Sequence, residues 1–281
     1  MTVQYVVLSD LDGTLLDHHT YDWTPAREAL NRLKRLNIPV VLNTSKTFSE
    51  VETLSTEIGL NDQPYIIENG SALVLKGFFK HFIPQLSEFP QFKHIQQLPA
   101  WVIGKSINDV HGFLNTCQSE KHLQIKSYRD WTVEEVAGIT GLSLAKAQAS
   151  KEKYFSEPFI YEGDEQSFHK FEQYSSESGF NILKGGRFYH LQGMVNKASI
   201  MDFLNEFKAL FWPDASELKF IALGDGDNDK EMLAAADYAI AIKSPVNDFP
   251  KFTHSHPVYS KEFGPVGWNE EMNTLLNQLN L

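Results

Sequence analysis

The chain predicts a doubly wound α/β fold: a mostly parallel sheet covered on both faces by helices, with a separate α+β unit inserted into it. Three observations lead there. Short β-branched runs recur and end abruptly in polar or small residues; amphipathic helical patterns separate them towards both ends of the chain; and the middle breaks that alternation. Near-continuous apolar runs suit parallel strands buried on both faces, and strand-helix alternation winds them into one sheet.

The first run, Val3 to Leu8, stops at Ser9-Asp10. Thr24-Pro25 then reads as a cap followed by proline at the first helical position, and Ala26, Ala29, Leu30, Leu33 and Leu36 share one helical face. Pro39 to Leu42 stops at Asn43-Thr44-Ser45. Thr47 and Glu50 have the spacing of a capping box, with Val51, Leu54 and Ile58 following and Gly59 as a stop. Tyr65 to Ile67 stops at Glu68-Asn69-Gly70. The inserted unit follows, with short strands such as Phe159 to Glu162 and Arg187 to Leu191 beside helical stretches such as Gln166 to Ser178. The division this predicts is 1–80 and 191–281 for the sheet domain and 81–190 for the insert. Sheet-type patterning resumes with a helix from Ala198 to Phe211, then Phe220 to Leu223 stopping at Gly224-Asp225, then Tyr238 to Ile242 stopping at Lys243-Ser244-Pro245. Ligands of such sheets bind outside the carboxyl ends of the strands, where these polar stops converge.

Composition narrows the function. With 36 Asp+Glu against 25 Lys+Arg the net charge is −11, which argues against a nucleic-acid partner. An acidic protein acting on an anion needs a local remedy: a metal ion, a few placed Lys or Arg, or helix N-termini. Hydrophobic residues at 42% are enough for a sizeable core. Cys117 is the only cysteine, so no internal disulfide forms and a reducing compartment is expected. Met1 to Tyr5 has no signal-peptide character, and no apolar run approaches the roughly 20 residues that span a bilayer. The expectation is a cytoplasmic protein without membrane contact, a monomer or a homodimer.

The first strand ends in Asp10-Leu11-Asp12-Gly13-Thr14. Alternation along an extended chain points Asp10 and Asp12 the same way, and a divalent cation relieves the repulsion between them. Taken alone, an ordinary Asp-Gly turn after a buried strand accounts for it equally well. The run Gly224-Asp225-Gly226-Asp227-Asn228-Asp229 puts three acids within five residues. It fails as a calcium loop, since the places that need Gly and Glu hold Lys230 and Ala236. A magnesium site supplied by one or two carboxylates, substrate phosphate and water fits better.

Together these segments resemble the haloacid dehalogenase superfamily of phosphatases, whose four motifs stand here in family order as Asp10 to Thr14, Thr44-Ser45, Lys197, and Gly224 to Asp229. The resemblance implies a Rossmann-like core, with the insert as the larger α/β cap of the Cof-like branch. It implies that Asp10 attacks phosphorus to form an acyl phosphate, and that Asp12 protonates the leaving oxygen and then deprotonates water. Mg2+ would be held by the Asp10 carboxylate, the Asp12 backbone carbonyl and Asp225, with Asp229 orienting water on the metal. Asn228 would touch phosphate or that water. Thr44, with Ser45 beside it, would bond a phosphoryl oxygen, and Lys197 would neutralise charge on Asp10 and the phosphoryl group. Asn196-Lys197-Ala198 departs from the frequent Asp-Lys-Gly but keeps the lysine.

Finer features resemble the mannosyl-3-phosphoglycerate phosphatase subfamily: Tyr21-Asp22-Trp23, Thr44-Ser45-Lys46-Thr47, Ser156 to Phe159, Gly185 to Leu191, and Phe263-Gly264-Pro265 with Gly267-Trp268. This implies a small phosphorylated sugar or glycerate substrate that also carries a carboxylate. Arg187, after Gly185 and Gly186, is the candidate clamp for it, a plain surface arginine being equally open. His190 either meets sugar hydroxyls or is structural, and Lys46 either lies near the phosphate or caps the strand end. Rival readings are another sugar-phosphate phosphatase, a phosphomutase and a non-catalytic binding module.

Overall fold

Strand β1, Val3–Ser9, divides the core in two: it sends Val7 to one face of the sheet and Val6 and Leu8 to the other, because side chains alternate along a strand. The computed structural model, which describes residues 2–120, 123–184 and 187–281, shows the same division along the neighbouring strands. These are β2 (Val40–Asn43), β3 (Tyr65–Ile67), β4 (Ala72–Val74), β5 (Phe92–Ile95), β6 (Leu98–Val102), β7 (Ile125–Ser127), β8 (Ser156–Tyr161), β9 (Phe180–Lys184), β10 (Tyr189–Gly193), β11 (Glu217–Gly224), β12 (Tyr238–Lys243) and β13 (Val258–Phe263). Leu42, Ile221, Leu223 and Ile240 join Val7 against helices Arg27–Arg35, Phe48–Glu57 and Val266–Gln278. Val41, Phe220, Ala222 and Ala239 join Val6 and Leu8 against helices Ser199–Glu206 and Lys230–Ala235.

The large sheet has nine strands in the order β13-β12-β11-β1-β2-β3-β4-β6-β5. It is parallel from β13 to β3 and antiparallel beyond. β5 and β6 fall within 81–190, which the sequence assigns to the insert, yet they pair with this sheet. Ile95 and Ala100 complete one of its cores and Trp101 the other, the two-sided burial that a sheet strand requires. The second sheet, β7-β8-β10-β9, is antiparallel and has its own core, in which Val110, Leu114, Phe159, Phe171 and Leu191 are buried under helices Ile107–Glu120 and Glu165–Glu177.

Helix starts follow local chemistry. Thr47 and Glu50 form the expected box, the Thr47 N–H donating to Glu50 Oε2 at 2.8 Å and the Glu50 N–H to Thr47 Oγ1 at 3.2 Å. Thr24 does not cap: its N–H and hydroxyl both donate to Asp22, at 2.9 and 3.0 Å. Residues Thr24–Ala26 therefore form a tight turn, and the helix begins at Arg27. The stretch 198–211 divides at Phe207 into Ser199–Glu206 and Lys208–Phe211. Among the described residues no helix is long and apolar enough to cross a membrane.

Candidate active site

β1 and β11 are parallel neighbours from which the chain leaves in opposite directions, so a crevice opens at their carboxyl ends. The Asp10 N–H donates to Leu223 O at 2.9 Å, which seats Asp10 just past the last ladder pair and beside Asp225. Two glycines make this approach possible. Gly13 has φ +77°, and a Cβ there would stand 2.6 Å from Asp225 Oδ2. A Cβ on Gly224 would stand 2.4 Å from Asp229 Cγ.

Lys197 closes the cluster. Its Nζ lies 2.6 Å from Asp10 Oδ1 and 2.7 Å from Asp229 Oδ1, fully buried. Asn43, at the tip of β2, donates through Nδ2 to Lys197 O at 2.8 Å and so fixes the lysine's backbone. Asp229 Oδ2 accepts the N–H groups of Asp225 and Gly226, both at 3.0 Å. Thr14 Oγ1 stands 3.3 Å from Asp225 Oδ1 and 3.5 Å from Asp10 Oδ2.

One oxygen from each of Asp10, Asp225 and Asp229 lies within 4.8 Å of the others, in the sole such group of acids among the described residues. Burial raises the Asp10 pKa well above the usual carboxylate range; Lys197 opposes this, while Asp229, Asp225 and Asp12 add to it. Burial, with Asp229 next in weight, pushes Asp225 up to about 6. Burial works against the charge of Lys197, but Asp10 and Asp229 outweigh it and hold the ammonium above its ordinary pKa. With all three carboxylates ionised, one ammonium leaves two negative charges uncompensated, which, beside burial, is why Asp10 and Asp225 resist ionisation without a further cation. A divalent cation on the three oxygens would balance those charges, so the residues present fit such an ion.

The other expected residues divide. Asp12 stays out of the acid cluster and pairs with Lys46, Nζ to Oδ2 at 2.8 Å, a partner that neither reading of Lys46 named. Asp12, Ser45, Asn228, Arg187 and His190 line a cavity of about 480 Å³ in front of Asp10 and Asp225. Thr44 does not line it: the residue is buried and its hydroxyl accepts the Lys46 N–H at 3.2 Å. Asn228 donates to Asn69 Oδ1 at 3.2 Å, and the Arg187 guanidinium donates to the Ile139 carbonyl. Burial, with Lys153 second, pushes His190 down to about 3, so it faces the cavity as a neutral ring. Gly185 and Gly186 lie outside the described residues.

His18, Asn69, Lys184 and Asn247 also line the cavity and were not singled out from the sequence as site residues. Asn69 had a signal, the polar stop after β3; its left-handed φ of +56° turns it towards the strand ends. Nothing in the patterns around His18, Lys184 or Asn247 marks them.

The family profile of haloacid dehalogenase-like hydrolases matches residues 7–248. A glucosyl-3-phosphoglycerate/mannosyl-3-phosphoglycerate phosphatase of Persephonella marina is 33% identical over 277 residues, 98% of this chain and 98% of the relative. A protein of the same description from Methanococcoides burtonii is 31% identical over 280 residues, 99% of each. Among solved structures, a phosphatase of the haloalkanoate enzyme superfamily from Bacteroides thetaiotaomicron superposes with a TM-score of 0.61 at 19% identity, covering 99% of this chain and 96% of that one.

Proposed function

The chain belongs to the haloacid dehalogenase-like hydrolases, and within that family we propose that it removes the phosphoryl group of mannosyl-3-phosphoglycerate to leave mannosylglycerate. It is a phosphoric monoester hydrolase. The observation that carries the reading is the Lys197 ammonium held between Asp10 and Asp229, with Asp225 at the next strand tip.

In this proposal Asp10 is the nucleophile. Lys197 neutralises and orients its carboxylate, leaving Oδ2 to attack phosphorus in line. Asp12 donates a proton to the departing alkoxide and afterwards takes one from the attacking water. Mg2+ would be held by Asp10, Asp225 and Asp229; when bound it supplies charge neutralisation for nucleophile and phosphate together. Ser45 and Asn228 bind phosphoryl oxygens, with Thr44 supporting the Ser45 loop from behind. The second sheet and its helices act as the cap, from about Gly104 to Gly193 on sheet pairing. Arg187 and Lys184, with neutral His190 between cap and core, meet the glycerate carboxylate and sugar. Cys117, the one cysteine of the sequence, is buried, which fits a reducing cytoplasm.

The test is phosphate release from a panel: mannosyl- and glucosyl-3-phosphoglycerate, sucrose phosphate and hexose phosphates. Release from mannosyl-3-phosphoglycerate that EDTA stops and Mg2+ restores is expected. No release from any of them would leave a non-catalytic binding module as the better account.

A further inference from the structure

The turn between β3 and β4, from Glu68 to Ser71, is where the second sheet is fastened to the first. The chain leaves beside it, the N–H groups of Ile103 and Gly104 both donating to Ser71 O at 2.9 Å. It returns beside it as well, since a Cβ on Gly70 would collide with the Asn196 carbonyl. A third crossing is not covalent. Glu68 is fully buried at a left-handed φ of +48°, and its carboxylate accepts three hydrogen bonds. The Tyr154 N–H donates to Oε1 at 2.8 Å, and the Phe155 N–H and Ser156 hydroxyl donate to Oε2 at 3.1 and 2.6 Å. These donors occupy one segment, which leads from helix Leu144–Lys151 into β8. Phe155 is itself buried in the core of the large sheet with Tyr65, Ile67 and Ala72.

Two covalent crossings alone leave the second sheet free to swing about the line that joins them. A buried carboxylate and its three donors part only at high cost, so the third contact removes that freedom. Strand pairing passes the position on. On β10, Gln192 pairs with Ser156 and His190 with Pro158; on β9, Lys184 pairs with Tyr189 of β10. His190 and Lys184 line the cavity, as does Arg187 just before β10. On the other side the same turn is bonded to the loop that carries Ser45: the Glu68 N–H donates to Lys46 O at 3.1 Å and the Asn69 N–H to Thr44 O at 3.0 Å.

We propose that Glu68 is a positioning residue for substrate recognition: its carboxylate fixes the entry to β8, and so sets how far Arg187, Lys184 and His190 stand from the loop that carries Ser45. It touches no substrate. This rests on the reading of Arg187, Lys184 and His190 as substrate contacts given above. The Ser45 loop and Asn69 keep their places through backbone bonds that do not involve the Glu68 side chain. Recognition by the cap and chemistry at phosphorus are therefore separable at this residue.

The experiment compares two esters in Glu68→Gln, which keeps the shape of the side chain but turns an N–H2 group towards donors it can no longer accept. KM for mannosyl-3-phosphoglycerate is expected to rise about tenfold, the scale of one lost hydrogen bond to a carboxylate, with kcat little changed. Turnover of p-nitrophenyl phosphate, which offers the cap neither sugar nor carboxylate, should stay as it was. Hydrogen exchange at the Tyr154 and Phe155 amides should quicken more than at Val7 on β1, which marks local release rather than general loosening. Ser156→Ala removes one of the bonds from the opposite side. It should raise KM by itself, and by a smaller factor when added to Glu68→Gln, because both act through one contact. Should the Gln variant not fold, Ser156→Ala carries the same comparison. Equal losses on the two esters, an unchanged KM for the sugar ester, or independent effects in the double variant would overturn the proposal. A wild type that releases phosphate from neither ester refutes the phosphatase reading instead, and amide exchange still decides whether Glu68 holds the cap.

Discussion

The ammonium of Lys197 stands 2.6 Å from the carboxylate of Asp10 across 187 residues of sequence, and neither group is tolerable there without the other. Replacing Lys197 with Met leaves three buried carboxylates facing one another. A loss of about 3–5 kcal/mol is expected in EDTA, the scale for stripping one partner from a buried ion pair. Mg2+ should return part of that stability, because it substitutes for the missing charge, but turnover should stay down about 100- to 1,000-fold. Urea unfolding with and without Mg2+, beside single-turnover phosphate release, reads both. A variant as stable in EDTA as the wild type contradicts the charge argument.

Asp225 makes the metal-free protein sensitive to pH. Its folded pKa of about 6 lies above the ordinary 3.8, so between those values the folded state holds a proton that the unfolded chain has released. Stability from this group is complete below about pH 4 and is lost as pH rises through 6, to the extent of about 3 kcal/mol. Asp10, raised for the same reason, adds in the same direction. Metal affinity should climb over the same window, since the ligands must be ionised. Urea titrations in EDTA from pH 4 to 8 should show the fall, and Asp225→Asn should reduce its slope.

How much of this was legible beforehand depended on the range of the interaction. The strand tips at Asp10, Asn43 and Asp225 are written locally, as apolar runs ending in polar residues, so the crevice and its acids could be read. β5 could not, because Lys93 and His94 are exposed and give Phe92–Ile95 too little apolar pattern to mark it as part of the large sheet. The capping role expected of Thr24 was lost to Asp22, whose carboxylate reaches both donors of the threonine first. The partner of Lys46 depends on how the segments after β1 and β2 lie beside each other, and the cavity positions of His18 and Lys184 on how core and cap meet; no spacing along the chain encodes either.

Arg187 should act on binding rather than on chemistry. It borders the cavity from the segment before β10, outside the Asp10 cluster, with its guanidinium anchored on the Ile139 carbonyl. Arg187→Met is expected to raise KM for mannosyl-3-phosphoglycerate about 10- to 100-fold, the worth of one hydrogen bond to a charged group. kcat should change little, and turnover of p-nitrophenyl phosphate, which has no carboxylate, should be unaffected. Equal losses on the two substrates would remove Arg187 from substrate recognition.

Gly13 separates folding from metal binding. At φ +77° an alanine pays roughly 1–2 kcal/mol for its backbone conformation. Its Cβ would also stand 2.6 Å from Asp225 Oδ2. That contact is with the end of a side chain rather than with backbone, so the carboxylate can swing aside at modest cost to the fold. The same swing takes one oxygen out of the group it forms with Asp10 and Asp229. Gly13→Ala should therefore keep a cooperative unfolding transition while Mg2+ affinity, read by calorimetry, drops at least about tenfold. Metal affinity left intact would mean that Asp225 is not among the ligands, however close its carboxylate lies to Asp10.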